Sequence, residues 1–266
     1  MNKKEFVVDK QCKLSKAIMN NLPYFSYSRA MSTITKKDVK INDIRTSKDF
    51  ILNIGDKVVV YYQDQNNDKK HYELVHTDEN IVVVNKYGGI ETINDKGDSL
   101  YHELCRDFGE IYAIHRLDLN TSGLVLFARN KTAEKKLLDD FRYRRITKKY
   151  QALVHGKPPK QKDIGIAYLV KDSKNSLVKI YDKEVAKSVK IVTEYQVVQV
   201  IGKKTLLNIT LHTGKTHQIR AYMAHLGCAV VGDGKYGIAK RGEDLKLCAV
   251  SLTLSDGRTF EINNNF

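Results

Sequence analysis

The sequence predicts an α+β protein of two parts, a small mixed unit ahead of a larger sheet-rich domain. Three observations predict it. β-Branched runs outnumber helical stretches in the later part of the chain. The helical stretches that do occur are short and amphipathic. A wholly polar segment, residues 63–70, has no apolar periodicity and separates the two parts. The boundaries that follow are a first unit over 10–62, a linker over 63–75 and a main domain over 76–266.

The elements are read in chain order. Residues 14–19 fit a short helix and residues 28–34 a second one. Val39-Lys40-Ile41 alternates, Asn42-Asp43 reads as a turn, and Val58-Val59-Val60-Tyr61-Tyr62 follows Gly55-Asp56 as a strand. In the main domain, Ile81-Val82-Val83-Val84 and residues 123–128 read as buried strands. Residues 132–145 place Ala133, Leu137, Leu138 and Phe141 on one helical face, with Thr132 as the expected cap. Residues 150–155, 188–200 and 204–212 carry strand signals, and residues 216–226 fit a helix ending before Gly227.

Composition narrows the class of partner. The net charge is +14 over 266 residues, which favours polyanions and nucleic acid first. A lysine-rich soluble protein would show the same total, so placement matters more. Residues 131–150 hold eight Lys/Arg against three Asp/Glu, a local stripe. No run approaches the roughly 18 apolar residues of a membrane span, and the charged start Met1-Asn2-Lys3-Lys4-Glu5 is no secretory signal. Cys12, Cys105, Cys228 and Cys248 form no CxxC pair, so no metal site is expected and the thiols are read as reduced. A cytoplasmic monomer without membrane association is expected.

The segment His115-Arg116-Leu117-Asp118-Leu119-Asn120-Thr121-Ser122-Gly123 carries the chemistry. It sets a carboxylate beside an arginine in a loop before a buried strand. A carboxylate near a cation stays ionised and available as nucleophile or base. Alone, such a pair is usually an ordinary surface ion pair.

The segment matches the HRLDxxTSG signature and thereby resembles the RluA family of pseudouridine synthases. A second signature follows at Lys149-Tyr150-Gln151-Ala152-Leu153-Val154-His155-Gly156. A third runs Leu211-His212-Thr213-Gly214-Lys215-Thr216-His217-Gln218-Ile219-Arg220 and continues to Gly232-Asp233-Gly234-Lys235-Tyr236-Gly237. The resemblance covers residues 76–266 and implies a mixed or antiparallel sheet. It implies that Asp118 is the catalytic aspartate, that Tyr150 stacks on the target base and helps remove the C5 proton, and that Arg220 pairs with Asp118. It implies that Arg116 holds the target nucleotide out of the stack. Without the motifs, Tyr150 reads as core and both arginines as phosphate contacts. Uridine isomerisation oxidises nothing and imports no group, so no cofactor is expected. Arg142, Arg144, Lys148 and Lys215 are the expected RNA contacts of the main domain.

The first unit resembles the S4 RNA-binding domain through its two helices, the Val39-Lys40-Ile41-Asn42 step and Gly55-Asp56-Lys57-Val58. That resemblance implies that Arg29, Lys36 and Lys37 face RNA. The residues by themselves also fit a small docking domain without RNA contact. Ribosomal RNA is favoured over transfer RNA as substrate.

Three positions depart from the family pattern. Asn85-Lys86-Tyr87 stands where a Lys-Pro step is usual, Lys215 replaces an arginine, and Leu247-Cys248-Ala249 lacks a histidine after the leucine. Short matches to other chemistries fail on context. Asp107-Phe108-Gly109 precedes His115-Arg116-Leu117-Asp118, the reverse of kinase order. Gly214-Lys215-Thr216 lacks the earlier glycine of a P-loop, since Ile209 stands there. His71-Tyr72-Glu73 has no following PCxxC, as a zinc deaminase would need. A glycosidase would want two working carboxylates, and one stands out. The remaining rivals are a transfer-RNA pseudouridine synthase and a non-catalytic RNA-binding or ribosome-assembly protein on the same scaffold.

Overall fold

The computed structural model describes all residues except 1, 23, 24, 26, 63–69, 95–98, 173, 241 and 265. Most of the expected linker therefore lies outside the described residues. The chain divides into two compact units, Met1–His71 with Glu91–Ile111 and Tyr72–Ile90 with Tyr112–Phe266.

The first unit contains β1 (Asn2–Val7), β2 (Cys12–Lys13), α1 (Leu14–Asn21), α2 (Tyr27–Thr35), β3 (Val39–Ile41), β4 (Ile44–Thr46), β5 (Ile51–Leu52), β6 (Lys57–Tyr62) and α3 (Leu100–Phe108). Its main sheet has the order β1-β6-β3-β4. Leu14 and Ile18 of α1 and Ala30 and Ile34 of α2 bury against Val39, Val58 and Val60. Burial of each Val, Leu or Ile among these contributes about 1.5–3 kcal/mol. The Asp49 carboxylate accepts from the Ser15 N–H and Oγ, both at 2.9 Å, and so caps α1 from a distant loop. Asn42 and Asp43 turn the β3–β4 hairpin with φ of 47° and 68°, the mirror-image turn that matches strand twist. β1 lies ahead of the expected start at residue 10. It is charged and largely exposed, so no apolar alternation announces it, yet it pairs with β6 along its length. Asp107-Phe108-Gly109 is the end of α3, closed by Gly109 at φ 78°.

The second unit contains β7 (Tyr72–Thr77), β8 (Ile81–Lys86), β9 (Tyr112–Ala113), β10 (Ser122–Ala128), α4 (Lys131–Arg142), β11 (Thr147–His155), β12 (Lys162–Asp172), β13 (Leu177–Tyr181), β14 (Val189–Ile201), β15 (Lys204–Leu211), α5 (Gln218–His225), β16 (Leu247–Thr253) and β17 (Thr259–Glu261). The first four residues of β7, 72–75, read from sequence as linker, because the exposed Glu73 and Leu74 blur the alternation. One sheet runs β13-β12-β14-β15-β11-β16-β10-β8-β7, with β9 and β17 attached at its side. Among the described strands, β10 and β16 make the one parallel pairing; the other ladders are antiparallel.

α4 buries Ala133 and Leu137 against Ile81, Val83, Leu124 and Leu126, while Leu138 of the expected stripe faces out. The cap of α4 is Asn130, whose side chain accepts from Ala133 N, and not Thr132. α5 starts at Gln218, because His217 takes the left-handed conformation at φ 54°. Among the described residues no helix is long and apolar enough to cross a membrane.

Candidate active site

Asp118 lies in the loop between β9 and β10, and the loop is tied down from several sides. The Leu119 carbonyl accepts from Gly89 N at 3.0 Å and from Lys86 Nζ at 3.1 Å. Lys86 is completely buried, and its ammonium also donates to the carbonyls of Tyr87 and Ile90. Three charge-assisted bonds offset the desolvation of this cation. Burial presses its pKa down to about 8, against the pull of the Asp118 charge. His115 accepts from Leu126 N through Nε2 at 3.0 Å, and its ring stacks on Phe141 with centroids 4.8 Å apart. Burial, with Lys148 acting the same way, brings its pKa down to about 3, so the ring is a neutral acceptor.

The glycine ending the first motif is needed by packing. A Cβ on Gly123 would stand 2.4 Å from both the amide nitrogen and the carbonyl oxygen of Ala249, and φ there is 112°. β10 and β16 run side by side at Ser122–Cys248 and Gly123–Ala249 only because that atom is missing.

α5 forms the facing wall. Arg220 donates from Nε and Nη2 to the two oxygens of Asp233, each at 2.8 Å, and from Nη1 to Asp118 Oδ2 at 3.3 Å. Asp233 is fully buried; burial alone would raise its pKa, but the guanidinium overrides that and holds it below the usual carboxylate range. Asp233 also accepts from the amides of Lys235 and Tyr236. Arg220 thus has a bidentate anchor on one carboxylate and a single bond to the other.

Tyr150 enters from β11 at a register shift against β16 between Lys149 and Tyr150. Such a bulge re-aims a side chain out of the regular alternation. Burial, reinforced by the Asp118 charge, pushes its phenol well above the ordinary value, so the hydroxyl stays protonated. Asp118, Tyr150, Arg220, Arg116 and His217 line one pocket of about 320 Å³.

A second, adjoining groove of about 560 Å³ shares Phe141, Lys148, Gly214 and Lys215 with this pocket. Arg142, Arg144 and Lys190 line it as well. The site is therefore a carboxylate held by a buried arginine, in a pocket that Tyr150 also lines, beside a basic groove.

Residues 68–225 match the family model described as RNA pseudouridylate synthase. The chain belongs to that family. It is 34% identical over 179 residues to an uncharacterized RNA pseudouridine synthase of Chlorobaculum parvum, covering 62% of this chain and 55% of that protein. It is 34% identical over 171 residues to ribosomal large subunit pseudouridine synthase C of Rickettsia conorii, covering 62% and 56%. The chain spans about half the length of these curated relatives. Among solved structures, human RNA pseudouridylate synthase domain containing 1 aligns with a TM-score of 0.64 at 25% identity, over 73% of this chain and 83% of that one.

Asp118, Tyr150, Arg220 and Arg116 meet in one pocket of this synthase-family fold. Arg142, Arg144, Lys148 and Lys215 meet in the adjoining groove. Arg145 of the same basic stripe is instead committed to buried Asp140 at 2.7 Å. Arg29, Lys36 and Lys37 belong to the first unit. There Arg29 lies 4.4 Å over the Phe25 ring, and Lys36 and Lys37 are exposed just after α2. Sequence reasoning missed Lys86, His115, Asp233 and Lys190. Lys86 stood within the step noted as a departure, and Asp233 within the third motif, but nothing local shows what either touches.

Proposed function

We propose that this chain isomerises uridine to pseudouridine in RNA, with Asp118 as the acting carboxylate and large-subunit ribosomal RNA as the substrate. The observation that carries the reading is the position of Asp118. Its side chain is 20% exposed, opens into the pocket and is held at Oδ2 by a buried arginine. In the reaction the N1–C1′ bond breaks and a C5–C1′ bond forms. C5 gives up its proton and N1 ends protonated, so the composition is unchanged. One carboxylate, a face to hold the loose base and an acceptor for one proton suffice.

The target base must leave its stack at a cost of a few kcal/mol. Stacking on an aromatic ring recovers about 1–3 kcal/mol, and Tyr150 is the aromatic residue assigned to that task. Its phenol is protonated, so Tyr150 works through its ring face and hydroxyl, not as a phenolate base. Arg116 is exposed at the pocket and fills the space the base vacates. Arg142, Arg144, Lys148 and Lys215 contact the flanking phosphates, a salt-sensitive contribution. The first unit is an S4-like RNA-binding module using Arg29, Lys36 and Lys37. The choice of ribosomal over transfer RNA is supported by relatives named as ribosomal large subunit synthases.

Mapping pseudouridine in total RNA from cells with and without the chain tests this reading. One or more large-subunit uridines should lose the modification and regain it when the wild-type chain is restored. An unchanged map would overturn the proposal, and a loss confined to transfer RNA would overturn its substrate.

A further inference from the structure

His217 sits at the foot of α5 in a left-handed conformation, φ 54° and ψ 17°, while its carbonyl accepts from Ala221 N at 2.9 Å. Residues other than glycine adopt this backbone uncommonly, histidine more readily than most. Here it turns the imidazole away from the helix, with Nε2 3.9 Å from Asp118 Oδ2 and Nδ1 2.8 Å from the Tyr236 hydroxyl.

That hydroxyl decides the tautomer. It accepts from Val178 N–H at 2.9 Å. Burial pushes its pKa up, so it carries its proton. Among the described residues, Nδ1 of His217 is the acceptor within reach of that proton. With the Tyr236 hydroxyl donating to Nδ1, the ring proton of the neutral imidazole stands on Nε2, the nitrogen facing Asp118, and this is the tautomer proposed for His217. Burial favours the neutral ring, against the pull of the Asp118 charge. His217 and Arg220 both approach Oδ2 of Asp118, and Oδ1 has no hydrogen-bond partner among the described residues.

We propose that His217, as its Nε2–H tautomer braced by Tyr236, is a positioning residue that holds Oδ2 of Asp118 jointly with Arg220 and leaves Oδ1 free to act on the nucleotide. The inference rests on the synthase reading given above. At 3.9 Å the contact is longer than a hydrogen bond; for His217 to hold Oδ2 it must tighten when a nucleotide binds, as catalytic hydrogen bonds commonly do.

Two amide substitutions separate the ring nitrogens. Gln places its amide nitrogen near the position of Nε2, whereas Asn reaches only as far as Nδ1 and tolerates the left-handed backbone better. His217→Asn should lower kcat for pseudouridine formation on a modified-site RNA fragment by up to about 100-fold, the scale of a misplaced catalytic group, with KM within about twofold. His217→Gln should recover most of the rate although it fits the backbone less well. Tyr236→Phe should lower kcat less than His217→Asn does. Long-range proton–nitrogen NMR of the wild-type chain should show His217 protonated at Nε2 and not at Nδ1.

A His217→Asn rate within twofold of wild type overturns the proposal. So does equal impairment of both amide variants, or an Nδ1–H tautomer in the NMR spectrum, which needs no variant to fold. No product from the wild-type chain on any ribosomal fragment would instead overturn the synthase reading, independently of the NMR result.

Discussion

The floor of the pocket and the groove beside it are both rich in charge, and they treat it in opposite ways. On the floor, each charge has an assigned partner: Arg220 has Asp233 and Asp118, and Lys86 has three carbonyls. In the groove, Arg142, Arg144, Lys190 and Lys215 are exposed. A buried charge must be paired or its desolvation goes uncompensated. An exposed cation keeps its water and can exchange it for phosphate. On the proposed reading the floor sets geometry and the groove sets affinity, and the two should fail separately.

The sharpest test is Asp118→Asn. Product formation should fall by at least about 10³-fold, the scale of a lost catalytic group, with RNA affinity by filter binding within about twofold. Loss of binding as well would break the division between floor and groove. Next comes Asp233→Asn, which strands Arg220 without its bidentate partner. Breaking such a buried pair costs about 3–5 kcal/mol, read as a lower urea midpoint with an unchanged m-value.

His115 adds a pH signature. Its folded pKa of about 3 lies below the unfolded value near 6.5, so the unfolded state binds the proton first. Stability is therefore full above the unfolded value and falls as pH drops toward 3, by about 1.4 kcal/mol per pH unit from this one group. His115→Gln, which keeps an acceptor near Nε2, should flatten that slope in urea titrations from pH 6 to pH 4. The smallest effect belongs to the groove. Arg144→Ala should leave kcat unchanged and reduce the slope of log affinity against log salt by about one. An altered kcat would show that the groove also shapes the floor.

Legibility followed how local each determinant is. The strands at Ile81 and Gly123 and the helix stripe at Ala133 and Leu137 were readable because burial imposes a period on neighbouring residues. β1 was not, because an edge strand needs backbone pairing and Asn2–Val7 supplies it with charged, exposed side chains. The α4 cap was misplaced by two residues because Asn130 and Thr132 are both competent caps, and only the backbone path selects one. In the site, Asp118, Tyr150 and Arg220 were legible through their motifs. Asp233 was in plain view between two glycines, but its pairing with Arg220 spans a turn and a loop.

By itself the sequence determined the class of the protein and its family through three ordered motifs, and it singled out Asp118 as the candidate carboxylate. The tertiary structure decided what that carboxylate touches. Arg220 divides itself between Asp233 and Asp118, Lys86 ties the loop that carries Asp118, and His217 faces the same oxygen as Arg220. These are pairings between residues up to 102 positions apart. No local pattern records them, because they exist only once burial removes water and leaves each charge to the partner the fold provides.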